Sequence, residues 1–182
     1  MEHLRLNKLD SNMSLREKLH KEKEERGFIS DVKLEKLITL NSIQEFLSGE
    51  AASQDELWKY VPGSRKLFAV LVLAGLERFA VECIINRGIT DVIFPVRSSD
   101  DIPPLNRDEG DRFLKEQWAI APILREGEHL DFHRGTVLPF LHKVFVDHGS
   151  FGRVYKVKIA EGHLRCSWPA YNAVGIVMFI PS

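Results

Sequence analysis

The rhythm of apolar and polar positions along this chain changes once, near residue 120. Before that point apolar residues recur at helical spacing; after it they form short extended runs bounded by Pro122, Gly127, Gly135 and Pro139. Ser14-Leu-Arg-Glu17 is a capping box, in which the serine oxygen and the glutamate satisfy the first free backbone N–H groups. It opens a densely charged helix over Leu15 to Arg26 that stops at Gly27 and reads as an exposed arm. Val32 to Ile38 and Ser42 to Leu47 read as two short helices capped by Asp31 and Asn41. Gln54 to Tyr60 reads as a further one, ended by Pro62-Gly63. Ser64 then caps a helix to about Ala74 that is nonpolar on nearly all sides, the expected centre of a helical core. Glu77 to Arg87 follows, with Phe79, Ala80, Cys83 and Ile84 on one face and Gly88 as its stop. Val92 to Val96 is a short segment of open type, Arg97 to Asn106 a linker-like loop, and Asp108 to Trp118 a helix carrying Phe113, Leu114 and Trp118.

Beyond residue 120 the pattern is that of strands. Leu141 to Val146 suits a first strand. Tyr155, Val157 and Ile159 alternate with Lys156 and Lys158, the period of a strand with one wet face, and Glu161-Gly162 signals the next turn. Between the two strands lies Gly149-Ser150-Phe151-Gly152. A dinucleotide fingerprint would require a helix after the last glycine, whereas the residues here are β-branched, aromatic and alternating. Ala173 to Ile180 is uncharged, apolar and β-prone, with no evident partner in the chain. It reads either as a buried edge strand or, preferentially, as a replaced terminus after a native sequence that ended near Arg165, as from a retained intron or a wrong gene model.

The string Gly149-Ser150-Phe151-Gly152-Arg153-Val154-Tyr155-Lys156-Val157-Lys158 resembles the glycine-rich loop of a protein kinase, G-x-G-x-x-G-x-V, set in a β-hairpin over the ATP phosphates. Glycines serve there because a Cβ would block the approach of backbone to phosphate. The second and third glycines fall on Gly149 and Gly152 and the valine on Val154, whereas Asp147 occupies the first glycine position. The resemblance implies an ATP-contacting segment of Asp147, His148, Gly149, Ser150, Phe151, Gly152 and Val154. The Asp147 carboxylate, set near anionic phosphates, makes that site weak or vestigial. Upstream, Lys66 to Gly75, Trp118-Ala-Ile-Ala-Pro122 and Leu138-Pro139-Phe140 are similar to filamentous-fungal proteins that carry a protein kinase domain behind a helical N-terminal region.

The family's next part is a lysine on a third strand that holds the α- and β-phosphates. The last lysine of this chain is Lys158, and the basic Arg165 is followed by Cys166-Ser-Trp-Pro-Ala170, which resembles no such strand. His133-Arg134-Gly135 and Asp131-Phe132-His133 imitate the catalytic loop and the metal motif, but each lacks its defining residue and precedes the glycine-rich loop. They read as ordinary loop or strand residues. No catalytic residue is assigned, and the magnesium used by the family finds no ligands here. Phosphoryl transfer rests on positioning and on cations at the phosphates, so this polypeptide is expected to be inactive.

Composition narrows the partners. Lys and Arg number 25 against 26 Asp and Glu, which gives no general pull toward nucleic acid or membrane. Basic residues gather around the hairpin at Lys143, Arg153, Lys156, Lys158 and Arg165, while Asp100 to Asp111 is acidic. Two distant cysteines, Cys83 and Cys166, support neither a disulfide framework nor a zinc site, and Cys83 reads as a buried thiol. No signal peptide is evident, and Leu67 to Leu76 is too short to span a bilayer, so an intracellular, by default cytoplasmic, protein is expected.

The expected fold class is α+β: a helical N-terminal unit followed by an incomplete antiparallel sheet, the start of a protein kinase N-lobe. The expected divisions are a charged arm over 1–30, a helical region over 31–118, extended segments and the glycine-rich hairpin over 119–165, and an atypical apolar tail over 166–182. Two functions follow: a truncated, inactive kinase-like protein that retains an ATP-covering loop, or a non-catalytic module whose helical region binds a protein partner.

Overall fold

The computed structural model describes residues 13–47, 63–125, 132–149, 152–165 and 174–181, and the helix expected over Gln54 to Tyr60 lies outside them. The fold is α+β. Six α-helices come first among the described residues: α1 (Leu15–Arg26), α2 (Asp31–Leu37), α3 (Leu40–Phe46), α4 (Arg65–Leu73), α5 (Arg78–Asn86) and α6 (Arg107–Glu116). The strands are β1 (Leu124–Arg125), β2 (Phe140–Gly149), β3 (Gly152–Ile159), β4 (Leu164–Arg165) and β5 (Val174–Pro181). The change of rhythm near residue 120 coincides with the change from helix to strand.

Helix α4 is the centre of the core. Its residues Leu67 to Leu73 are all buried, so it needs apolar neighbours on every side, and α1, α2, α5 and α6 pack against it. The expected exposed arm is therefore not one. Helix α1 lays Leu15 and Leu19 into the core, and its buried Glu22 is held by Lys33 at 2.8 Å and Arg26 at 3.2 Å. Lys23 reaches Glu116 on α6 at 2.6 Å. The reciprocal Ser14–Glu17 capping box is formed, and these hydrogen bonds hold the fully exposed Glu17 carboxyl below its ordinary pKa. Gly27 ends α1 in the left-handed region at φ 78°, where a side chain would be strained.

Several caps sit one or more residues from their expected places. Ser30, not Asp31, caps α2, and Thr39, not Asn41, caps α3. Asp31 is instead drawn to Lys66 at 3.1 Å. Ser64 stands at the start of α4 but makes no side-chain cap bond. That role falls to Asp91, whose two carboxylate oxygens accept from the N–H groups of Lys66 at 3.2 Å and Leu67 at 2.8 Å. A carboxylate at a helix N-terminus satisfies orphan donors and meets the positive end of the helix dipole.

Of the face expected on helix α5, Ile84 is buried and Ala80 packs against the core, whereas Phe79 turns outward. Val81, Ile84 and Ile85 are buried, Cys83 is half-buried, and Phe79 is 74% exposed. The segment after α5 is not a free linker either. Ile102 is fully buried, and Gly110 of α6 approaches Ser99 so closely that a Cβ at Gly110 would lie 2.3 Å from that of Ser99.

In the second part, β2 and β3 form an antiparallel hairpin and β5 pairs antiparallel with β3, giving the order β2-β3-β5. The apolar tail expected to lack a partner is therefore the third strand of this sheet, whose two edges are β2 and β5. Val157 and Ile159 are buried and Lys156 and Lys158 exposed, the alternation expected of β3. They pack with Leu124 of β1, which runs parallel to β4. Among the described residues no helix is long and apolar enough to cross a membrane.

Asp91→Ala should lower stability by about 1–2 kcal/mol, the usual cost of a lost N-cap, and Asp91→Asn by less because an acceptor remains. Urea unfolding monitored by circular dichroism checks this, with equal midpoints for Asp91→Ala and the parent ruling the cap out.

Candidate functional site

The hairpin end is built by register. Gly149 lies opposite Gly152, His148 opposite Arg153 and Asp147 opposite Val154, so five of the seven expected site residues come together at one end of the ladder. The other two, Ser150 and Phe151, lie outside the described residues. A register shift between Phe145 and Asp147 gives β2 an extra residue there, the signature of a bulge that bends the strand toward its turn. Asp147, His148 and Arg153 are exposed and Val154 is half-buried. Asp147 Oδ1 accepts from the His148 N–H at 2.7 Å, so the carboxylate is held beside the turn.

Arg153 is an exposed cation at this end, opposite His148. Lys143 stands over the Tyr155 ring, 3.9 Å from its centroid, and Phe145 contacts both Tyr155 and His148 edge-on. The strand beside β3, Val174–Pro181, has no charged residue in its sequence. Among the described residues no group of three or more His, Cys, Asp or Glu side chains could hold a metal ion. The residues present thus fit a nucleoside triphosphate poorly: an exposed carboxylate at Asp147 beside the paired Gly149 and Gly152, and no lysine on β5.

Of the two look-alike motifs, Asp131 lies outside the described residues, and His133-Arg134-Gly135 forms a turn in which the His133 ring stacks on Trp118 at 4.4 Å. That stack borders a cleft of about 940 Å³ between the segment from Phe94 to Arg97, the end of α6 and the turn at Phe132 to Thr136. Gln117 shapes its floor. Its buried amide oxygen accepts from the Val96 N–H and its amide nitrogen donates to the Val96 carbonyl, both at 2.9 Å, so it replaces a neighbouring strand for that residue.

Another residue that periodicity could not single out is His163. It is fully buried, and its Nε2 accepts from the Asp31 N–H at 3.0 Å while Nδ1 donates to the Pro122 carbonyl at 2.9 Å. The acceptor role of Nε2 fixes the neutral tautomer with the proton on Nδ1. This ring ties the start of α2 to the segment entering β1 and to the turn after β3. Ile29, bonded to Ala119 and Ala121 through the backbone, makes a second tie beside it.

Comparison with protein-family models, with curated proteins and with solved structures gives no match.

His163→Leu should cost about 1–2 kcal/mol, because a half-buried donor and a half-buried acceptor lose their partners together. His163→Gln, whose amide can donate and accept, should recover part of it. Chemical denaturation of both variants checks this, and a leucine variant as stable as the parent would dismiss the tie.

Proposed function

We propose that this chain is a kinase-like protein without phosphotransfer activity of its own, in which a vestigial glycine-rich ATP-covering hairpin stands on a helical module. The observation that carries the reading is Gly149 opposite Gly152 at the end of an antiparallel ladder, with Val154 on the return strand at the spacing of the kinase loop. The surroundings support inactivity. Stabilisation of a transferring phosphoryl group needs cations placed around it. Asp147 offers the opposite charge beside Arg153, and β5, the neighbour of β3 away from β2, offers no cation.

A second reading, a non-catalytic protein-interaction module, is favoured by one observation. Leu141, Val144, Phe145 and Val146 are exposed on β2, an edge strand. An edge with unpaired backbone groups and apolar side chains is suited to accept a strand from a partner protein. On the helical unit, Phe79 and Val92 at 74% and 90% exposure add apolar points of contact.

Incubated with γ-labelled ATP, magnesium and general protein substrates, the purified chain should incorporate no phosphate above a blank. Incorporation that is abolished by substitution of Gly149 and Gly152 would overturn the proposal of inactivity.

Asp147→Gly restores the first glycine and removes the carboxylate from the phosphate-facing turn. Magnesium-ATP should then raise the melting temperature of this variant more than that of the parent. A Kd one fifth of the free ligand concentration gives about 1 kcal/mol of stabilisation. Equal shifts in both proteins would remove the nucleotide reading and leave the interaction module.

A further inference from the structure

The cleft beside Trp118 shares no lining residue with the hairpin, and its chemistry is different. Its volume of about 940 Å³ lies at the upper end of the range of small-molecule sites, roughly 300–1,000 Å³. Among the described residues the lining contains Lys66, Arg97 and Lys115 and no Asp or Glu, although acidic residues slightly outnumber basic ones in the chain as a whole. Lys66 is engaged by Asp31 at 3.1 Å, whereas Arg97 and Lys115 are exposed and make no ion pair with a described residue. The rest of the wall is chiefly apolar, with the half-buried Trp118 ring and the exposed Phe132 as its broad flat surfaces.

Two local devices keep the cleft open in this shape. The Gln117 amide fixes Val96, and with it the backbone leading to Arg97, against the end of α6. The stack of His133 on Trp118, with rings inclined by 10°, holds the turn that forms the opposite lip. Apolar walls formed in advance and a few charged groups at the margin are what a small-molecule site needs, because little ordering cost is left for binding.

We infer that this cleft is a binding site for a small organic anion with a flat apolar body, an aromatic carboxylate in chemical class. The apolar body lies along Trp118 and Phe132, and the carboxylate meets Arg97 and Lys115. A neutral molecule of the same shape gains the apolar contact alone. The site is independent of any role of the hairpin.

The test uses 1-naphthoate and its neutral analogue 1-naphthamide, each titrated into the full chain by calorimetry. Naphthoate should bind one saturable site with a Kd on the order of 100 μM, ordinary efficiency for a ligand of that size. Naphthamide should bind about five- to tenfold more weakly, the range expected from two partly exposed charge contacts. The double variant Arg97→Gln/Lys115→Gln removes only exposed charges, so its fold is not at risk. It should bind naphthoate as weakly as naphthamide, with naphthamide itself unaffected, while Arg112→Gln, on α6 outside the cleft, leaves both unchanged. Rising salt should narrow the difference between the two ligands. Equal affinities for the two ligands, full naphthoate affinity in the double variant, or no saturation below the millimolar range would each overturn the assignment.

Discussion

A helix that is apolar all round can exist only if every side of it is covered, and α4 imposes that demand on everything before β1. From Leu67 to Leu73 no side chain keeps appreciable contact with water. Each large apolar side chain so buried contributes about 1.5–3 kcal/mol, and truncating one would cost about 2–5 kcal/mol. The charged helix α1 is recruited by that demand. Its few apolar residues, Leu15 and Leu19, are spaced four apart and so lie on one face, which is enough to seat it against α4 while its charges remain outside or pair. Sealing α4 also shuts water away from its first N–H groups, and the Asp91 carboxylate takes water's place there.

That dependence explains which features were legible in the sequence. The Ser14–Glu17 box, the Gly27 stop, the buried α4 and the glycine hairpin are set by residues within a few positions of one another, and each appears where the pattern puts it. The caps of α2 and α3 were missed by only one or two residues; what the pattern leaves out altogether involves distant partners. Asp91 caps a helix that starts 26 residues before it in the chain, and His163 bonds Asp31 across 132 positions. Gln117 clamps Val96 across 21. Periodicity carries no information about such pairs. On α5, Phe79 was misjudged for a related reason: Phe79 and Val81 both fit an apolar stripe, and only the position of α4 decides which is buried. The tail was misjudged because a strand's partner is supplied by topology, and β3 needed a neighbour on its second edge.

The joint between the two halves is small and polar at its centre. Phe28, Ala121 and Ala160 make a minor apolar cluster, and His163 meets Phe28 edge-on at 6.3 Å. A histidine in that place restricts the joint more than an apolar residue would. Its two nitrogens require a donor and an acceptor in fixed directions, so α2 and the Pro122 carbonyl can approach in one arrangement only. The hairpin thereby inherits a defined position from the helical core, although β2 itself buries little.

Charge separates the two candidate sites. At the hairpin end Asp147 is exposed, with the exposed Arg153 one position along the ladder; along the cleft, Arg97 and Lys115 stand without acidic neighbours among the described lining residues. Between exposed charges such preferences act over about a Debye length, roughly 8–10 Å at ordinary ionic strength. An anion that also carries a flat ring, as ATP does, is therefore matched in charge by the cleft, while at the turn Asp147 opposes it and Arg153 attracts it. Stabilisation of the parent chain by ATP would consequently not locate the nucleotide at the hairpin. Only stabilisation that responds to residue 147 speaks for the glycine turn, and only stabilisation that responds to Arg97 and Lys115 speaks for the cleft. The two readings stand or fall on different side chains, so the loss of either leaves the other intact.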